Sequence, residues 1–246
     1  QFFNVHNIKI FSWRRNADGI DFHNTSDISI HDCFIRTFDD GVSLKGEHYF
    51  DGASTEDKPM ERVLIERCVF WNDWARPIAF GSETSGERMC DITFRDCDII
   101  HFAFMAINIQ ACGNAPIYDV LFENIRIGDP IDSLVEPRII EIFIRSMLWM
   151  PGEELGRVYN VTFRNIAYKG LVICPCRFIG ASEEHDMRNI YLEQVTINGV
   201  LLETEDYPIS PIIVNDYAQD IYLNGRPIDR AKARFESEED TCNSYL

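Results

Sequence analysis

Short apolar stretches return along this chain, each opened by an Asn, Asp or Arg and each alternating apolar with polar residues. The recurring phrase reads like Asp91-Ile-Thr-Phe and begins at Asn7, Asp27, Arg62, Asp91, Asp119, Asn160, Asn189 and Asp220. Its returns lie 20 to 41 residues apart and cluster at 28 to 31. Alternation with a period of two predicts β-strands, and the i, i+3, i+4 spacing of amphipathic helices is nearly absent.

A repeat of this length that holds one or two short strands is typical of a solenoid, in which stacked coils share one continuous core. We therefore predict an all-β fold, specifically a right-handed parallel β-helix of the pectate-lyase type. Residues 1–230 are predicted to form this single domain and residues 231–246 a charged cap or tail. The long departures from the period, at 48–60 and 129–157, are expected to be loops beside a cleft. A β-sandwich with chance similarity between strands is the alternative.

The chain starts inside the repeat pattern, at Gln1, without an initiator Met or a leader. We therefore expect N-terminal coils to be missing from this sequence. An open solenoid end exposes unpaired strand edges. The first coil is accordingly predicted to associate with a neighbouring chain or with another segment.

The amino-acid composition excludes several classes of binding partner. Hydrophobic residues make up 46% of the 246 residues, but no apolar run is long enough to span a membrane. A net charge of −17 argues against nucleic acid and against a strongly anionic polymer. Cys33, Cys68 and Cys97 share one position of the repeat and are predicted to stack inside the core. Their lack of disulfide spacing favours a reducing compartment such as the cytoplasm, although the compartment stays open.

Two acidic motifs stand one coil apart. Asp18 lies in Asn16-Ala-Asp-Gly-Ile-Asp21, and Asp39 and Asp40 follow 21 and 22 residues later. Because stacked coils lie about 4.8 Å apart, the three carboxylates are expected to crowd together on one wall. Crowding separates the pKa values of carboxyl groups, which is what acid–base cleavage of a glycosidic bond requires. Calcium binding and plain Asp-Gly turns are the alternatives at this stage.

At these residues the chain resembles glycoside hydrolase family 28, the polygalacturonase-like enzymes, with family 49 dextranases as more distant kin. The resemblance rests on Asn16-Ala-Asp-Gly-Ile-Asp21, on Asp39-Asp-Gly-Val-Ser-Leu-Lys45 and on Ile78-Ala-Phe-Gly-Ser-Glu-Thr-Ser-Gly86. It covers residues 5 to 145, and the repeat grammar extends it to about residue 229.

The resemblance implies an inverting hydrolase that needs no metal and no cofactor. It further implies Asp39 as the general acid, with Asp18 and Asp40 positioning and activating the water.

The chain departs from the family in two places. No His occurs between Asp73 and Pro77, where the family has a Gly-His-Gly motif, and Asn108-Ile-Gln110 replaces its Arg-Ile-Lys motif. Asn and Gln hydrogen-bond hydroxyl groups but cannot pair with a uronate. We therefore expect a neutral carbohydrate substrate. A non-catalytic scaffold or glycan-binding protein is the first alternative, and a polysaccharide lyase is the second.

Further side chains are expected to bind substrate because they lie at or beside the strands of later coils on the same wall as the acids. Trp74 is included also because aromatic faces stack on sugar rings. These candidates are Lys45, Trp74, Arg76, Glu83, Asn108, Gln110 and Glu141. No histidine or cysteine spacing indicates a metal site.

Overall fold

A computed structural model describes residues 2–46, 58–131, 136–147, 154–206 and 211–237. Throughout these ranges the chain is all β, without helices, and therefore contains no helix that could cross a membrane. Its strands, in chain order, are β1 (Phe3–His6), β2 (Lys9–Phe11), β3 (Ile20–His23), β4 (Ile28–His31), β5 (Phe34–Thr37), β6 (Val42–Lys45), β7 (Met60–Glu66), β8 (Val69–Asn72), β9 (Ile78–Phe80), β10 (Met89–Arg95), β11 (Asp98–His101), β12 (Met105–Ala111), β13 (Ile117–Ile127), β14 (Arg138–Ile144), β15 (Val158–Tyr168), β16 (Cys176–Ile179), β17 (Met187–Glu193), β18 (Thr196–Ile197), β19 (Val200–Leu201), β20 (Ile212–Val214), β21 (Ile221–Leu223), β22 (Arg226–Pro227) and β23 (Arg234–Phe235).

The strands form two sheets, between which the chain alternates. The second sheet runs in the order β23-β20-β16-β14-β12-β9-β6-β3, and the other strands form the first sheet. We call one visit to the first sheet followed by one to the second a pass, so that β1–β3, β4–β6 and β7–β9 are the first three passes. Each pass pairs with the next in parallel, and only the short pairs β18–β19 and β21–β22 are antiparallel. The all-β prediction is confirmed, and so is parallel pairing between repeats.

Left-handed backbone positions recur at the third residue of the longer strands of the first sheet. Asp91, Asp119, Asn160 and Asn189 all have φ between 52° and 55°. Asn and Asp tolerate this region best among residues with a Cβ because their short polar side chains bond locally. Here the bonds also join passes, since Nδ2 of Asn160 donates to Oδ1 of Asp119 at 3.1 Å. The recurring Asn or Asp is thus explained by the backbone at each bend.

The first repeat was assigned one strand out of register by the sequence pattern. The phrase that begins at Asn7 was equated with the one at Asp27, but the structure pairs Lys9 with Phe34 and places Phe3 beside Ile28. Both phrases begin with a left-handed residue, and such bends occur twice in the second pass, at Asp27 and at Asp32. The pattern alone could not tell one bend from the other.

The core lies between the two sheets and is built from repeated layers. Phe94, Phe122 and Phe163 stack with centroids 5.3 and 4.9 Å apart. Cys33, Cys68 and Cys97 are buried and free, which confirms their predicted place in the core. Parts of the predicted loops and tail, at 47–57, 132–135, 148–153 and 238–246, lie outside the described residues. The prediction of a loop at 129–157 is wrong at Arg138–Ile144, an isoleucine-rich segment that forms β14 of the second sheet. In the predicted tail, Arg234–Phe235 pairs with β20.

Candidate active site

The acidic motifs lie where the chain enters the second sheet, in consecutive passes. Asp18 precedes β3, Asp39 and Asp40 precede β6, and Arg76 precedes β9. Backbone hydrogen bonds hold these entries side by side, because Gly19 N donates to the carbonyl of Asp40 and Gly41 N to that of Arg76, both at 2.8 Å. Side chains that are far apart in sequence therefore share one edge of the sheet.

The glycine after each Asp permits this close stacking. A Cβ on Gly19 would lie 2.3 Å from the carbonyl oxygen of Gly41, and a Cβ on Gly41 would lie 2.4 Å from that of Pro77. Neither glycine has a left-handed φ. The Asp-Gly pairs are thus required by the approach of neighbouring passes, and not by the tight turns that this dipeptide commonly forms.

Asp40 is the most deeply buried of the three acids, with 2% of its surface exposed. Arg76 donates to both of its carboxylate oxygens, from Nε at 2.8 Å and from Nη2 at 2.9 Å. Burial raises the pKa of Asp40 to about 6, against the lowering effect of Arg76, and the charges of Asp39 and Asp18 add to the rise.

Asp18 shares a cation with a second carboxylate. Lys45 Nζ lies 2.9 Å from Oδ2 of Asp18 and 2.6 Å from Oδ2 of Asp21. Burial raises the pKa of Asp21 to about 6 even though Lys45 opposes the rise. Burial acts to lower the pKa of Lys45, but its bonds to Asp21 and Asp18 outweigh burial and raise it. The group is therefore one positive charge held between two negative ones.

Asp39 is held by backbone groups instead of a cation. Its carboxylate accepts hydrogen bonds from the backbone N–H of Asn16 at 3.2 Å and of Asp40 at 3.1 Å. It forms no ion pair with a described residue. Asn72 Nδ2 donates to the carbonyl of Asp39 at 2.5 Å and to Thr37 Oγ1 at 3.2 Å, which fixes the backbone at this bend.

These groups surround a cleft of about 650 Å³. Its walls contain the three predicted acids, four of the seven predicted wall residues and four residues without a predicted role: Asp18, Asp39, Asp40, Lys45, Trp74, Arg76, Glu83, Arg15, Asn16, Gly81 and Ser82. The structure thus brings the two acidic motifs into one site, together with three cations and a partly exposed indole.

The other three predicted wall residues are buried outside the cleft lining. Asn108 and Glu141 are completely buried and Gln110 is 5% exposed. Nδ2 of Asn108 donates to Glu141 Oε2 at 3.3 Å, and Nη1 of Arg177 lies 2.9 Å from Glu141 Oε1. Asn108 still reaches the site indirectly, since Arg76 Nη1 lies 3.4 Å from its Oδ1.

Asp21 is the functional-site neighbour that sequence reasoning missed, although it stands in the quoted motif. It alternates with Ile20 and Phe22, so an outward position on β3 followed from the period of two. Its partner did not follow, because the pairing of β3 with β6 is needed to bring Lys45 to it.

The chain matches no protein-family model and no curated protein sequence. Among the described residues, no cluster of three or more His, Cys, Asp or Glu side chains is arranged to hold a metal ion. The chemistry of the cleft therefore has to be argued from its own residues.

Proposed function

We propose that this chain is a right-handed parallel β-helix related to glycoside hydrolase family 28, and that it is an inverting hydrolase of a neutral poly- or oligosaccharide. The observation that carries the proposal is the cleft itself, in which Asp18, Asp39 and Asp40 converge from adjacent passes. Parallel, in-register pairing of successive passes supports the β-helix. Hydrolysis with inversion needs one acid for the leaving oxygen and one base for the water, on opposite sides of the scissile bond.

The contacts favour Asp39 as the acid. The raised pKa of Asp40 would by itself suit a proton donor, but both oxygens of Asp40 accept hydrogen bonds from Arg76. A carboxyl group locked in this way cannot swing its proton toward a substrate. Asp39 is more exposed, and its two oxygens accept only single bonds of 3.2 and 3.1 Å from neutral backbone N–H groups, so it is the acid that a leaving oxygen can reach more easily.

Asp18 and Asp40 then form the water-activating pair. Each is fixed by a cation, Asp18 by Lys45 and Asp40 by Arg76. Fixed carboxylates can orient a water and accept its proton without having to reorganise in the transition state.

The charges of the cleft favour a neutral substrate. Lys45 is engaged by two carboxylates and Arg76 by one, so both cations serve the acids before any ligand arrives. Arg15 is the remaining cation of the described cleft wall and lies at its exposed rim. A polyuronate requires repeated cationic contacts, which this wall does not offer.

A non-catalytic glycan-binding protein is the second candidate. It is favoured by one observation, the Arg76 lock on Asp40, because Arg76 falls in the segment where the resembling family has its His. A permanently paired Asp40 would weaken water activation while leaving a polar, sugar-sized cleft intact.

The test is release of reducing ends from neutral and uronic glycans by the wild type, Asp39→Asn and the control Asp98→Asn, whose site lies on the first sheet outside the cleft. Loss of general-acid catalysis is expected to lower the rate on a neutral glycan by about 10²- to 10⁴-fold. The control should keep its rate, and the first product should have the inverted anomeric configuration by NMR.

Three results would count against this assignment. An active Asp39→Asn variant would remove Asp39 from the acid role. Preferred cleavage of polygalacturonate would contradict the neutral substrate. Binding of a glycan without any hydrolysis by the wild type would favour the second candidate.

A further inference from the structure

One lysine joins two carboxylates at the edge of the cleft, and the second of these carboxylates has no role in the proposed reaction so far. Lys45 Nζ lies 2.9 Å from Oδ2 of Asp18 and 2.6 Å from Oδ2 of Asp21. Asp18 and Lys45 line the cleft, whereas Asp21 lies outside its lining. Asp21 therefore acts on the cleft through Lys45 and Asp18, and not by touching a substrate.

The register of two strands brings these three groups together. β3 pairs with β6 so that Asp21 lies beside Ser43 and His23 beside Lys45. The Lys45 side chain therefore runs back along β6 toward the start of β3, where Asp21 and then Asp18 stand. Its ammonium group is brought to Asp18 along a path that passes the carboxylate of Asp21.

A lysine needs more than one anchor to hold its charge in one place. The ammonium is a point charge at the end of a flexible chain of four carbons, unlike the planar fork of an arginine. Arg76 donates to both oxygens of Asp40 and so fixes that acid by itself. Lys45 is instead fixed by two carboxylates, and its contact with Asp21 is the shorter of the two.

The second carboxylate also sets the charge of the group. With Asp18 and Asp21 both ionised, Lys45 balances one of two negative charges, and a net negative group accepts a proton from water more readily than a neutral ion pair does. Burial raises the pKa of Asp21 to about 6, Lys45 opposes the rise, and Asp18 adds to it. When Asp21 is protonated, Lys45 pairs with the charge of Asp18 alone.

Other charged or titratable side chains lie around this group. Arg15 and Glu83 line the same cleft, and His23 follows on β3 with its Nδ1 3.1 Å from the carbonyl oxygen of Gly46. Asp40 stands before β6, and burial raises its pKa to about 6 as well. All of them are retained in a variant of Asp21, so comparison with the wild type isolates the charge of Asp21.

We propose that Asp21 is a positioning residue of this site, which holds Lys45 against Asp18 so that Asp18 takes the proton of the attacking water. This inference rests on the proposed function for the reaction, but the hold on Lys45 does not require it. In the reaction, the water oxygen bonds to the anomeric carbon as its proton passes to Asp18, and the leaving oxygen takes the proton of Asp39.

The first test measures hydrolysis by the wild type, Asp21→Asn, Asp21→Glu and the control Asp98→Asn. Asp21→Asn keeps the shape and loses the charge, so kcat per folded molecule should fall about ten- to hundredfold at pH 7.5, with KM changed less than about twofold. Asp21→Glu should recover most of kcat, because the flexible Lys45 can follow the longer carboxylate. Asp98→Asn changes an exposed pair on the first sheet and should keep both constants.

The pH dependence of the rate distinguishes positioning from a purely structural role. A protonated Asp21 is neutral like Asn, so the ratio of wild-type to Asp21→Asn kcat should be largest above pH 7 and approach one as the pH falls below about 6. Asp40 titrates in both proteins and cancels in the ratio. A ratio that stays constant with pH would overturn the positioning role.

A second measurement follows Lys45 without any glycan. The ¹⁵Nζ chemical shift of Lys45, assigned by its loss in Lys45→Arg, should change with a midpoint near pH 6 in the wild type and lose that step in Asp21→Asn. A step that persists in Asp21→Asn would overturn the hold by Asp21. If Asp21→Asn fails to fold, Asp40→Asn decides: a step that survives belongs to Asp21, and a step that disappears overturns the assignment.

The two measurements separate this inference from the hydrolase. Hydrolysis by the wild type with unchanged kcat in Asp21→Asn would overturn the positioning role and leave the enzyme. Loss of the Lys45 step in Asp21→Asn, in a protein that hydrolyses no glycan, would overturn the enzyme and support the hold on Lys45. Thermal unfolding of each variant shows that the compared proteins are folded.

Discussion

The outer face of the second sheet carries charged and polar side chains at both ends, but the two ends are built differently. One register row runs from Asp21 through Ser43, Ala79 and Asn108 to Glu141 and Arg177. At its beginning the side chain of Asp21 is 26% exposed and shares Lys45 with Asp18 of the cleft wall. Four and five strands further on, Glu141 and Arg177 are 0% and 1% exposed.

The difference between the two ends shows how burial changes what a carboxylate paired with a cation can do. A carboxylate beside water can change its partner or its proton, which a catalytic group must do. A carboxylate sealed from water is fixed by the cost of leaving either charge unpaired. We therefore assign the row's beginning to function and its continuation to the stability of the sheet.

The sharpest test of this division removes the buried cation. Arg177→Met leaves Glu141 without its nearest positive charge, which lies at 2.9 Å. Breaking a buried pair costs about 3–5 kcal/mol when it leaves a charge poorly compensated, and here Arg138, whose Nε lies at the longer distance of 3.4 Å from Glu141 Oε1, would remain beside the carboxylate. We expect a fall of that size in the free energy of unfolding, measured by urea denaturation, while glycan binding per folded molecule is retained.

Two variants make this result specific. Glu141→Gln removes the carboxylate shared by Arg177 and Arg138 and should cost at least as much as Arg177→Met. Arg126→Met breaks an exposed pair with Asp98, in which the arginine side chain is 66% exposed, and should cost at most about 1 kcal/mol. Equal losses for Arg126 and Arg177 would show that burial does not make the Glu141 pair costlier to break than an exposed one.

A smaller effect is expected where the cleft depends on close packing of passes. Gly41→Ala places a methyl group against the carbonyl of Pro77, at 2.4 Å, and should cost about 1–3 kcal/mol in unfolding free energy. It should also lower glycan affinity, since it displaces Asp40 from Arg76. Gly225→Ala is the control: its site is open but has φ +81°, so it loses some stability while leaving the cleft unchanged. Unaltered affinity in Gly41→Ala would separate the cleft from this packing.

The sequence predicts more of the fold than of the site, because the two depend on different information. Alternation of apolar and polar residues is local, so the strands and their inward faces could be read directly, as in Ile92 and Phe94. Stacking of repeats then placed Asp18 near Asp39 and Asp40. The register of the first pass was read wrongly because bends at Asn7 and Asp27 carry the same signal.

The sequence of a strand does not predict whether other residues bury its outward-facing side chains. Asn108 and Glu141 face outward by alternation, as Lys45 does, and all three were therefore predicted at the substrate wall. The structure buries the first two, with Arg177 from a later pass as the partner of Glu141.

The smallest effect, and the one that compares the cleft with the first sheet, is the dependence of stability on pH. Burial raises the pKa of Asp40 to about 6, so this group stabilises the fold fully below its unfolded pKa of 3.8 and loses that contribution as the pH rises through about 6. Asp32 has the opposite sign. Hydrogen bonds from Arg67 and then His31 lower its pKa to about 2, so its contribution is present above 3.8 and is lost as the pH falls toward 2.

Asp40→Asn should therefore remove a downward slope in unfolding free energy between pH 4 and 6, no steeper than about 1.4 kcal/mol per pH unit. Asp32→Asn should leave that window unchanged and flatten only the fall below pH 4. Because the pKa of Asp21 is raised to the same value, Asp40→Asn should remove part of the slope and the double variant with Asp21→Asn the rest. Urea denaturation at half-unit steps of pH measures both windows. A slope between pH 4 and 6 that survives in the double variant would mean that Asp40 and Asp21 are not the carboxyl groups whose raised pKa values cause it. The contrast between the two ends of the row would then rest on the buried pair of Glu141 and Arg177 alone.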